Sequence, residues 1–306
     1  MSNQSINYHQ PVLLEESVEA LKPRDGGIYV DTTFGGGGHT EQLLQQFQGG
    51  HLIAFDQDAD SLRNAPNDER LTLIQQNFRF LKRYLRFFKH IPVDGIMADL
   101  GVSSYQIDTP EKGFSTRYEG DLDMRMNRQS PLTAAYVVAH YSLEELQQMF
   151  SQYGEVRNAR QLAHAITEVR DHTPIETTSD LCRIAESVAK GNRNKYLARV
   201  FQALRIEVNE ELETLKALLE QSADVLKPHG RMAVITYHSL EDRLVKNFFR
   251  KGTFSGESNK DVYGHTWVPF QEVYKKPLTA SDDEMAYNPR ARSAKLRVAE
   301  KVVEDV

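Results

Sequence analysis

Apolar and polar residues follow two different periods along this chain, and the order of these periods predicts its fold. Short β-prone apolar runs cover residues 28–30, 51–55, 71–74 and 93–98. Residues 39–47 and 78–88 predict helices, and in the second of these Leu81, Leu85 and Phe88 recur at helical spacing. Strands that alternate with helices predict a parallel sheet with helices on both faces.

The period changes after the fourth strand. No convincing strand pattern occurs between residues 108 and 197. A Ser-Leu-Glu-Glu capping box at residues 142–145 opens one predicted helix, and Ser179 is a candidate cap for another. Apolar residues at helical spacing continue through this block. The sequence therefore predicts an all-helical segment here.

The α/β pattern returns in the last third of the chain. One long amphipathic helix is predicted over residues 200–219, followed by a turn at 227–230 and a fifth strand at 231–237. Residues 298–303 predict a last edge strand. The helical block is thus an insertion after the fourth strand, at the edge where such sheets bind ligands.

Composition narrows the class of protein. The chain has 306 residues with 37 basic and 43 acidic side chains, a net charge of -6, so nucleic-acid binding would need a local patch rather than an overall positive surface. The single cysteine, Cys182, excludes an internal disulfide framework and a multi-cysteine zinc site. No apolar run is long enough for a membrane span, and the N-terminus has no signal-peptide pattern. We expect a cytoplasmic protein.

A glycine-rich loop follows the first predicted strand directly. Four consecutive glycines, Gly35 to Gly38, allow positive φ angles and a close approach of backbone to a ligand. A tight structural turn is the alternative, but four glycines straight after a strand favour ligand binding. The dinucleotide fingerprint has a third glycine where this chain has Thr40, so the match to that fingerprint is imperfect.

Acidic residues end three of the predicted strands. Asp56 lies 21 residues after Gly35, where a carboxylate can accept the hydroxyls of an adenosine ribose. Asp31 and Asp99 end two more strands, and acidic surroundings suit the cationic end of S-adenosylmethionine but repel a pyrophosphate. This favours S-adenosylmethionine over a nicotinamide dinucleotide. A dinucleotide-dependent oxidoreductase remains the alternative function. For Asp31 and Asp99, the alternative role is that they only cap loops.

Eight motifs occur together and in order. They are Asp31-Thr-Thr-Phe-Gly-Gly-Gly-Gly-His39, Asp99-Leu-Gly-Val-Ser-Ser104, Gly113-Phe-Ser115, Leu122-Asp-Met-Arg-Met126, Phe201-Gln-Ala-Leu-Arg-Ile206, Val208-Asn-Glu-Glu-Leu212, His238-Ser-Leu-Glu-Asp-Arg243 and Asn288-Pro-Arg-Ala-Arg-Ser293. With them the chain strongly resembles the bacterial 16S ribosomal RNA cytosine-N4 methyltransferases (the RsmH or MraW family), from His9 to Leu296. It departs from the family pattern at Tyr105, where relatives commonly have proline, and in residues 116–121.

The resemblance implies a fold, a cofactor and a reaction. It implies an α/β fold with a class I (Rossmann-like) methyltransferase sheet, here residues 1–107 and 199–306, and an inserted all-helical domain for RNA recognition at 108–198. It implies methyl transfer from S-adenosylmethionine to N4 of one cytidine in the decoding region of 16S rRNA within the small ribosomal subunit, without a metal or membrane. The cofactor contacts of the family fall on Gly37, Gly38, His39, Asp56, Phe78, Asp99 and Gln106.

The chemistry of N4 suggests further candidates. The lone pair of this amino nitrogen is delocalised into the ring, so acceptors for its hydrogens would help the transfer. Backbone carbonyls near Leu100 and Gly101 are candidate acceptors, and Asp123 and His238 are candidate catalytic side chains. His238 is equally explained as a helix-start histidine. The base is expected to stack on an aromatic ring, and the sequence leaves three open: Tyr105, Phe114 and Tyr237.

Two basic clusters are candidate RNA contacts. The first comprises Arg79, Lys82, Arg83, Arg86 and Lys89, and the second Arg290, Arg292, Lys295 and Arg297. The second lies in a family motif and is favoured, whereas the first is more simply a solvated face. Residues 192–195 are a third candidate, and residues 251–290 are expected to form a wall facing the RNA. A non-catalytic RNA-binding protein with the same fold is the remaining alternative.

Overall fold

The computed structural model describes residues 11–258 and 268–303, and the chain divides into two compact units. The sheet unit comprises Met1–Gly101 and Leu212–Val306, and the helical unit comprises Val102–Glu211. The boundaries differ from the expected ones after residues 107 and 198. The reason at the second boundary is that Val200, Leu204 and Val208 pack in the core of the helical unit, so their whole helix belongs there.

Seven strands form one sheet in the order β3-β2-β1-β4-β5-β7-β6. They are β1 (Ile28–Asp31), β2 (His51–Asp56), β3 (Leu71–Gln75), β4 (Val93–Asp99), β5 (Leu226–Thr236), β6 (Phe270–Glu272) and β7 (Lys295–Lys301). The first five pair in parallel, and β7 is antiparallel to both β5 and β6. This confirms the predicted class I methyltransferase sheet.

Twelve α-helices occur in the described residues. They are α1 (Leu14–Ala20), α2 (Gly38–Gln45), α3 (Leu81–Phe87), α4 (Ser104–Asp108), α5 (Ala134–His140), α6 (Leu143–Gly154), α7 (Ala159–Arg170), α8 (Thr178–Ser187), α9 (Arg193–Asn209), α10 (Glu211–Val225), α11 (Ser239–Lys251) and α12 (Asp282–Tyr287). None of the described helices is both long enough and apolar enough to cross a bilayer.

The sheet separates two apolar cores, because successive side chains of a strand point to opposite faces. Ile96 and Val234 face one core together with apolar residues of α3, α10 and α11. Met97 and Ala233, their neighbours in sequence, face the other core with residues of α1 and α2. Helices therefore cover both faces of the sheet, and its carboxyl edge is left to the loops that carry the candidate site.

The helical unit has a core of its own, contributed by α5 to α9. The predicted capping box is present: the Ser142 hydroxyl accepts from the Glu145 N–H, and the Glu145 carboxylate accepts from the Ser142 N–H. The cap of α8 is Thr177 rather than Ser179, because Asp180 completes a capping box with Thr177. Cys182 lies half-buried on α8, as a structural helix residue would.

Three sequence predictions need correction. The predicted helix over residues 200–219 is two helices, because Glu210 has a left-handed φ of 48° and ends α9. Residues 227–230 do not end an element but form an irregular excursion within β5, with His229 at φ 64°. The predicted edge strand is β7, which lies between β5 and β6. Of the segments singled out above, His9 and residues 259–267 lie outside the described residues.

Candidate active site

Three carboxylates lie at the carboxyl ends of three neighbouring strands. The strands β2, β1 and β4 are adjacent in the sheet and end at Asp56, Asp31 and Asp99. Because the strands run in parallel, these ends meet at one edge of the sheet, with the glycine-rich loop between β1 and α2 at the same edge. The structure thus brings these three acids and the loop together.

Positive φ angles shape the glycine loop. Gly35 has a φ of 54°, and Gly37, which precedes the first residue of α2, has a φ of 85°. The Gly35 N–H donates to Asp56 Oδ2 over 2.8 Å, so the loop is held against the end of β2. A Cβ at Gly35 would meet only the Thr33 carbonyl oxygen, at 3.8 Å, so protein does not crowd this point of the loop. Backbone atoms at this point can therefore approach a ligand closely.

Gly38 is required by a contact that the sequence did not indicate. A Cβ at this position would lie 2.2 Å from Cγ of Pro11. The segment before α1 therefore packs on the start of α2, and the nearest approach leaves no room for a side chain. This packing explains Gly38 independently of any ligand, and its role as a cofactor contact remains a prediction.

We expect Gly38→Ala to lower the free energy of unfolding by about 1–3 kcal/mol, the usual cost of forcing an extra methyl group into a packed site. Denaturant unfolding of the protein would measure this. The matched control is Pro11→Ala/Gly38→Ala, which removes the Cγ atom that the new methyl group meets and should recover most of the loss. A double variant as unstable as Gly38→Ala would show that the contact is not the cause.

Asp31 is a structural centre of the loop. Its Oδ1 accepts from the Thr33 N–H over 3.0 Å, and its Oδ2 accepts from the Thr40 hydroxyl over 2.8 Å. The side chain is buried, and burial raises its pKa. Thr40 stands where the dinucleotide fingerprint has glycine, and only a hydroxyl-bearing side chain can make this bond. Asp31 therefore joins the end of β1 to the first turn of α2.

Asp56 accepts three hydrogen bonds at the end of β2. Besides the Gly35 N–H, the Asp58 N–H donates to its Oδ1 over 2.8 Å, and the Ser61 hydroxyl also donates to the carboxylate. Burial raises the pKa of Asp56 to about 6 despite these donors. The residue keeps part of its surface exposed at the strand end, so the carboxyl group can meet a ligand.

Asp99 lies at the end of β4 without a cationic partner. Its Oδ1 accepts from the Tyr237 hydroxyl over 2.7 Å, and about 23% of the side chain is exposed. Burial raises the pKa of Asp99 to about 7, and the nearby carboxylates of Asp31 and Glu241 act in the same direction. Among the described residues no lysine or arginine forms an ion pair with it. Asp99 is thus suited to a ligand that brings its own positive charge.

His39 does not supply that charge. Its Nε2 donates to the Val12 carbonyl over 3.1 Å, and burial lowers its pKa to about 4. A neutral histidine that donates from Nε2 has a lone pair on Nδ1. This Nδ1 lies 3.9 Å from Asp99 Oδ2, so it faces the carboxylate without neutralising it.

Phe78 lies just beyond β3, near the end of β2. It begins a short 3-10 turn and is half-buried against the core that α3 shares. The preceding Asn77 donates from Nδ2 to Gln57 Oε1 over 3.0 Å, which joins the segments after β3 and β2. Phe78 is therefore placed at the same edge as Asp56, and its role as an adenine contact remains a prediction.

His238 is bound to its own helix. It caps α11, where its Nδ1 accepts from the Glu241 N–H over 3.5 Å, and its Nε2 lies 3.2 Å from Glu241 Oε1. The Glu241 carboxylate in turn accepts from the Tyr237 N–H over 2.9 Å. The helix-start explanation of His238 therefore accounts for its contacts, and its catalytic role stays a prediction.

Two candidates, Gln106 and Asp123, belong to the helical unit. Gln106 is buried, and its Oε1 accepts from the Ser103 N–H in the capping box that opens α4. Both carboxylate oxygens of Asp123 accept from Arg125, over 2.7 and 2.8 Å, and this pairing lowers the pKa of Asp123. Asp123 is thus a poor proton acceptor, although a carboxylate retains lone pairs for further hydrogen bonds.

The candidate base-stacking rings have different surroundings. Phe114 packs against the core of the helical unit, and Tyr105 lies 5.1 Å from the Lys112 ammonium. Tyr237, in the sheet unit, is half-buried with its hydroxyl on Asp99. Sequence reasoning missed this last contact, because residues 138 positions apart give no local signal of their pairing.

The two basic clusters differ in how their cations are paired, and their contacts with RNA remain predictions. Arg297 is buried and donates to Asp242, and Lys295 also pairs with Asp242. Those two cations of the favoured C-terminal cluster therefore hold β7 to α11. In the first cluster Arg83 and Arg86 are exposed and have no acidic partner among the described residues.

Comparison with known proteins gives relatives over almost the full chain. The ribosomal RNA small subunit methyltransferase H of Flavobacterium johnsoniae is 52% identical over 300 residues, 97% of this chain and 99% of the relative. The protein of the same name from Cytophaga hutchinsonii is 54% identical over 297 residues, 96% of this chain and 99% of the relative.

Among solved structures, a putative methyltransferase from Streptococcus mutans in complex with SAH aligns with a TM-score of 0.45 and 13% identity. The alignment covers 96% of this chain and 100% of that one. This likeness is too distant to support an argument about the site. A family model, in contrast, matches residues 6–302, and the chain accordingly belongs to the MraW methylase family.

Proposed function

We propose that this protein transfers a methyl group from S-adenosylmethionine to N4 of one cytidine in the decoding region of 16S rRNA, acting on the small ribosomal subunit in the cytoplasm. The observation that supports this cofactor is the position of Asp99. Its carboxylate lies beside the glycine loop and Asp56, and it has no cationic partner among the described residues. The names of the relatives support ribosomal RNA as the substrate. The choice of cytidine N4 rests on the motif resemblance.

The residues at the sheet edge fit this cofactor. S-Adenosylmethionine supplies a methyl group activated on a sulfonium. Asp56 offers an acceptor for ribose hydroxyls, Phe78 an aromatic face for adenine, and Asp99 a negative charge for the methionine end. The uncrowded backbone at Gly35, where a Cβ would meet only the Thr33 carbonyl at 3.8 Å, permits close approach of a ligand. Holding the two reactants in line is the first requirement of such a transfer.

The amino nitrogen that gains the methyl group must also lose a proton, so an acceptor has to lie near it. Asp123 and His238 remain our candidates for that acceptor. The geometry gives Asp123 a second explanation, because its pairing with Arg125 also holds the loop after it: Arg125 Nη1 donates to the Ser130 carbonyl over 2.7 Å. A test must separate these two roles.

Comparison of Asp123→Asn with Arg125→Gln separates them. If Asp123 accepts the N4 hydrogens, Asp123→Asn should lower kcat by about 100-fold, the usual contribution of such a group, while Arg125→Gln keeps most of kcat. If Asp123 only holds the loop, both variants should lose stability and activity alike, and the double variant should be no worse than either. Single-turnover methylation together with thermal unfolding would measure this, and equal losses would remove Asp123 from the catalytic residues.

Methyl transfer to small ribosomal subunits that lack this modification is the direct test of the function. Labelled S-adenosylmethionine is supplied, and the RNA is hydrolysed to nucleosides. Label in N4-methylcytidine is the expected result. Label in another nucleoside would overturn the assignment of the atom, and preferential binding of NAD without methyl transfer would favour an oxidoreductase. Cofactor binding without transfer to any ribosomal RNA would favour a non-catalytic protein.

A further inference from the structure

Exposed phenylalanines and unpaired cations share one surface of the sheet unit, which we call the α3 surface. It comprises Phe80, Arg83, Arg86, Phe87, Phe88 and Lys89. The three rings keep 41%, 76% and 37% of their surface exposed. Phe87, with three quarters of its surface exposed, contributes little to a core, and its position beside cations indicates a binding partner.

The helix geometry places Arg83, Arg86 and Phe87 away from the core. Leu81 and Leu85, four residues apart on α3, are fully buried and fix its inner face. Arg83 and Phe87 are also four residues apart and lie on the opposite side, with Arg86 next to them. The rings of Phe87 and Phe88 meet edge to face with centroids 5.1 Å apart. The aromatic groups are therefore held in a defined arrangement.

The charges on this surface are uncompensated. Lys82, on the flank of α3, pairs with Asp224 and is not part of the surface. For Arg83, Arg86 and Lys89 no acidic partner exists among the residues that the structure describes. In a chain with a net charge of -6, a patch of three unpaired cations complements a polyanion.

We propose that the α3 surface binds an unpaired segment of the RNA substrate. The phenylalanine rings stack on bases, and Arg83, Arg86 and Lys89 contact phosphates. Aromatic faces interleaved with cations are the arrangement by which proteins hold single-stranded nucleic acid. A purely apolar partner is less suited, because guanidinium groups interrupt the rings. The inference rests on the proposed function for the identity of the RNA.

The position of the surface suggests how it assists the reaction. Phe80 lies two residues beyond Phe78, at the carboxyl edge of the sheet, and α3 leads back from there toward the start of β4. The surface is thus a binding strip that begins beside the candidate adenine contact. Contacts along such a strip raise affinity for the RNA without touching the reacting atoms.

Kinetics with small ribosomal subunits will test this. Phe87→Ala should raise KM roughly tenfold and leave kcat unchanged, since loss of one stacking ring has about this effect. Arg83→Gln/Arg86→Gln should also raise KM, and Arg83→Lys/Arg86→Lys should restore most of the affinity. The control is Lys22→Gln, which removes an exposed lysine elsewhere on the sheet unit and outside residues 251–290. All these side chains are exposed, so thermal unfolding should not change.

Binding of polyuridine provides a second readout that does not need methyl transfer. The slope of log affinity against log salt should become shallower by roughly 0.7 for each phosphate that Arg83→Gln/Arg86→Gln no longer neutralises. Variants that bind polyuridine and subunits like the control would overturn the proposal. So would a change of oligomeric state in Phe87→Ala with unchanged RNA affinity, which would make this face a contact between copies of the chain.

These experiments distinguish failure of the α3 surface proposal from failure of the proposed function. If the unmodified protein transfers no methyl group but the α3 variants lose polyuridine binding, the proposed function fails and the surface stands. If the protein methylates cytidine N4 and every α3 variant keeps its KM, the surface is overturned and the function stands.

Discussion

Asp99→Asn should weaken the binding of S-adenosylmethionine by about 100-fold. Asparagine has nearly the same shape but no charge, so the variant removes the negative group that we propose faces the cationic end of the cofactor. A hydrogen bond to a charged group contributes about 1.5–3 kcal/mol, and each 1.4 kcal/mol is a factor of ten in affinity. Isothermal titration calorimetry of the purified protein would measure the change.

Tyr237→Phe is the matched control for Asp99→Asn. It removes only the hydroxyl that donates to Asp99 Oδ1 and keeps the ring against the loop at Gly101. Without this donor the ionised form of Asp99 is less favoured, so affinity should fall at neutral pH, but by less than in Asp99→Asn. Unchanged affinity in Asp99→Asn would place the methionine end elsewhere.

The pH dependence of cofactor affinity gives an independent check on Asp99. Its pKa of about 7 means that part of the population is protonated at neutral pH, and a protonated carboxyl cannot attract the ammonium. Binding of a cation favours the ionised form, so affinity should rise with pH between about 5.5 and 7 and then level off. The ammonium of the ligand titrates above this range, near about 7.7–8.0.

The titratable groups around Asp99 determine the expected pH dependence of cofactor affinity. His39, with a pKa of about 4, and Tyr237, raised well above 10, do not change charge in the range. Asp31 and Glu241 lie close enough to raise the pKa of Asp99. Asp56 has a pKa of about 6. Asp99→Asn should therefore lose the transition near 7 and keep one near 6, and an unaltered profile would contradict the assignment.

The sheet and the edge acids were predictable because local rules decide them. A β-prone run followed by glycines and a helix predicts a strand, a turn and a crossover, and parallel pairing brings the ends of such strands to one edge. Asp31, Asp56 and Asp99 could therefore be assigned to one site from their positions alone. Their individual roles could not, since Asp31 holds the loop and Asp99 keeps part of its side chain exposed without a cationic partner among the described residues.

Long-range pairings explain what the sequence pattern did not reveal. The contact of Pro11 with Gly38 and the bond between Thr40 and Asp31 join segments whose patterns are unrelated. The break between α9 and α10 depends on one residue, Glu210, whose left-handed backbone has no glycine to signal it. The ion pairs of Lys295 and Arg297 with Asp242 could not be predicted for the same reason, because Asp242 lies on another element.

One side chain gives a physical reason for two separated motifs. Asn209, at the end of α9, donates from Nδ2 to the Met124 carbonyl and accepts from the Met126 N–H, both over 2.8 Å. Met124 has a positive φ of 60°, so the backbone there needs such support. Arg205 pairs with Glu211 through two hydrogen bonds, of 2.8 and 2.9 Å. Residues 122–126 and 201–211 of these motifs thus form one structural group within the helical unit.

Asp56→Asn should lower the affinity for S-adenosylmethionine by about 100-fold as well, but for a different reason. A carboxylate offers about four lone-pair sites, and the N–H groups of Gly35 and Asp58 and the hydroxyl of Ser61 take three of them. We expect one ribose hydroxyl to donate to the fourth lone pair. The other ribose hydroxyl is expected to displace the Ser61 hydroxyl from the carboxylate. An amide has too few acceptors for this, and its NH₂ would face one of the two N–H groups.

Ser61→Ala is the control that separates ribose binding from loop shape. It frees a lone pair on Asp56 without touching the two N–H donors, so affinity should not fall. Calorimetry with S-adenosylmethionine would give the affinities, and thermal unfolding without ligand would report the integrity of the loop. If Ser61→Ala lost as much affinity as Asp56→Asn, the carboxylate would act only by shaping the glycine loop. If Asp56→Asn bound normally, the ribose would have to lie away from β2, and the order of contacts along the sheet edge would need to be reassigned.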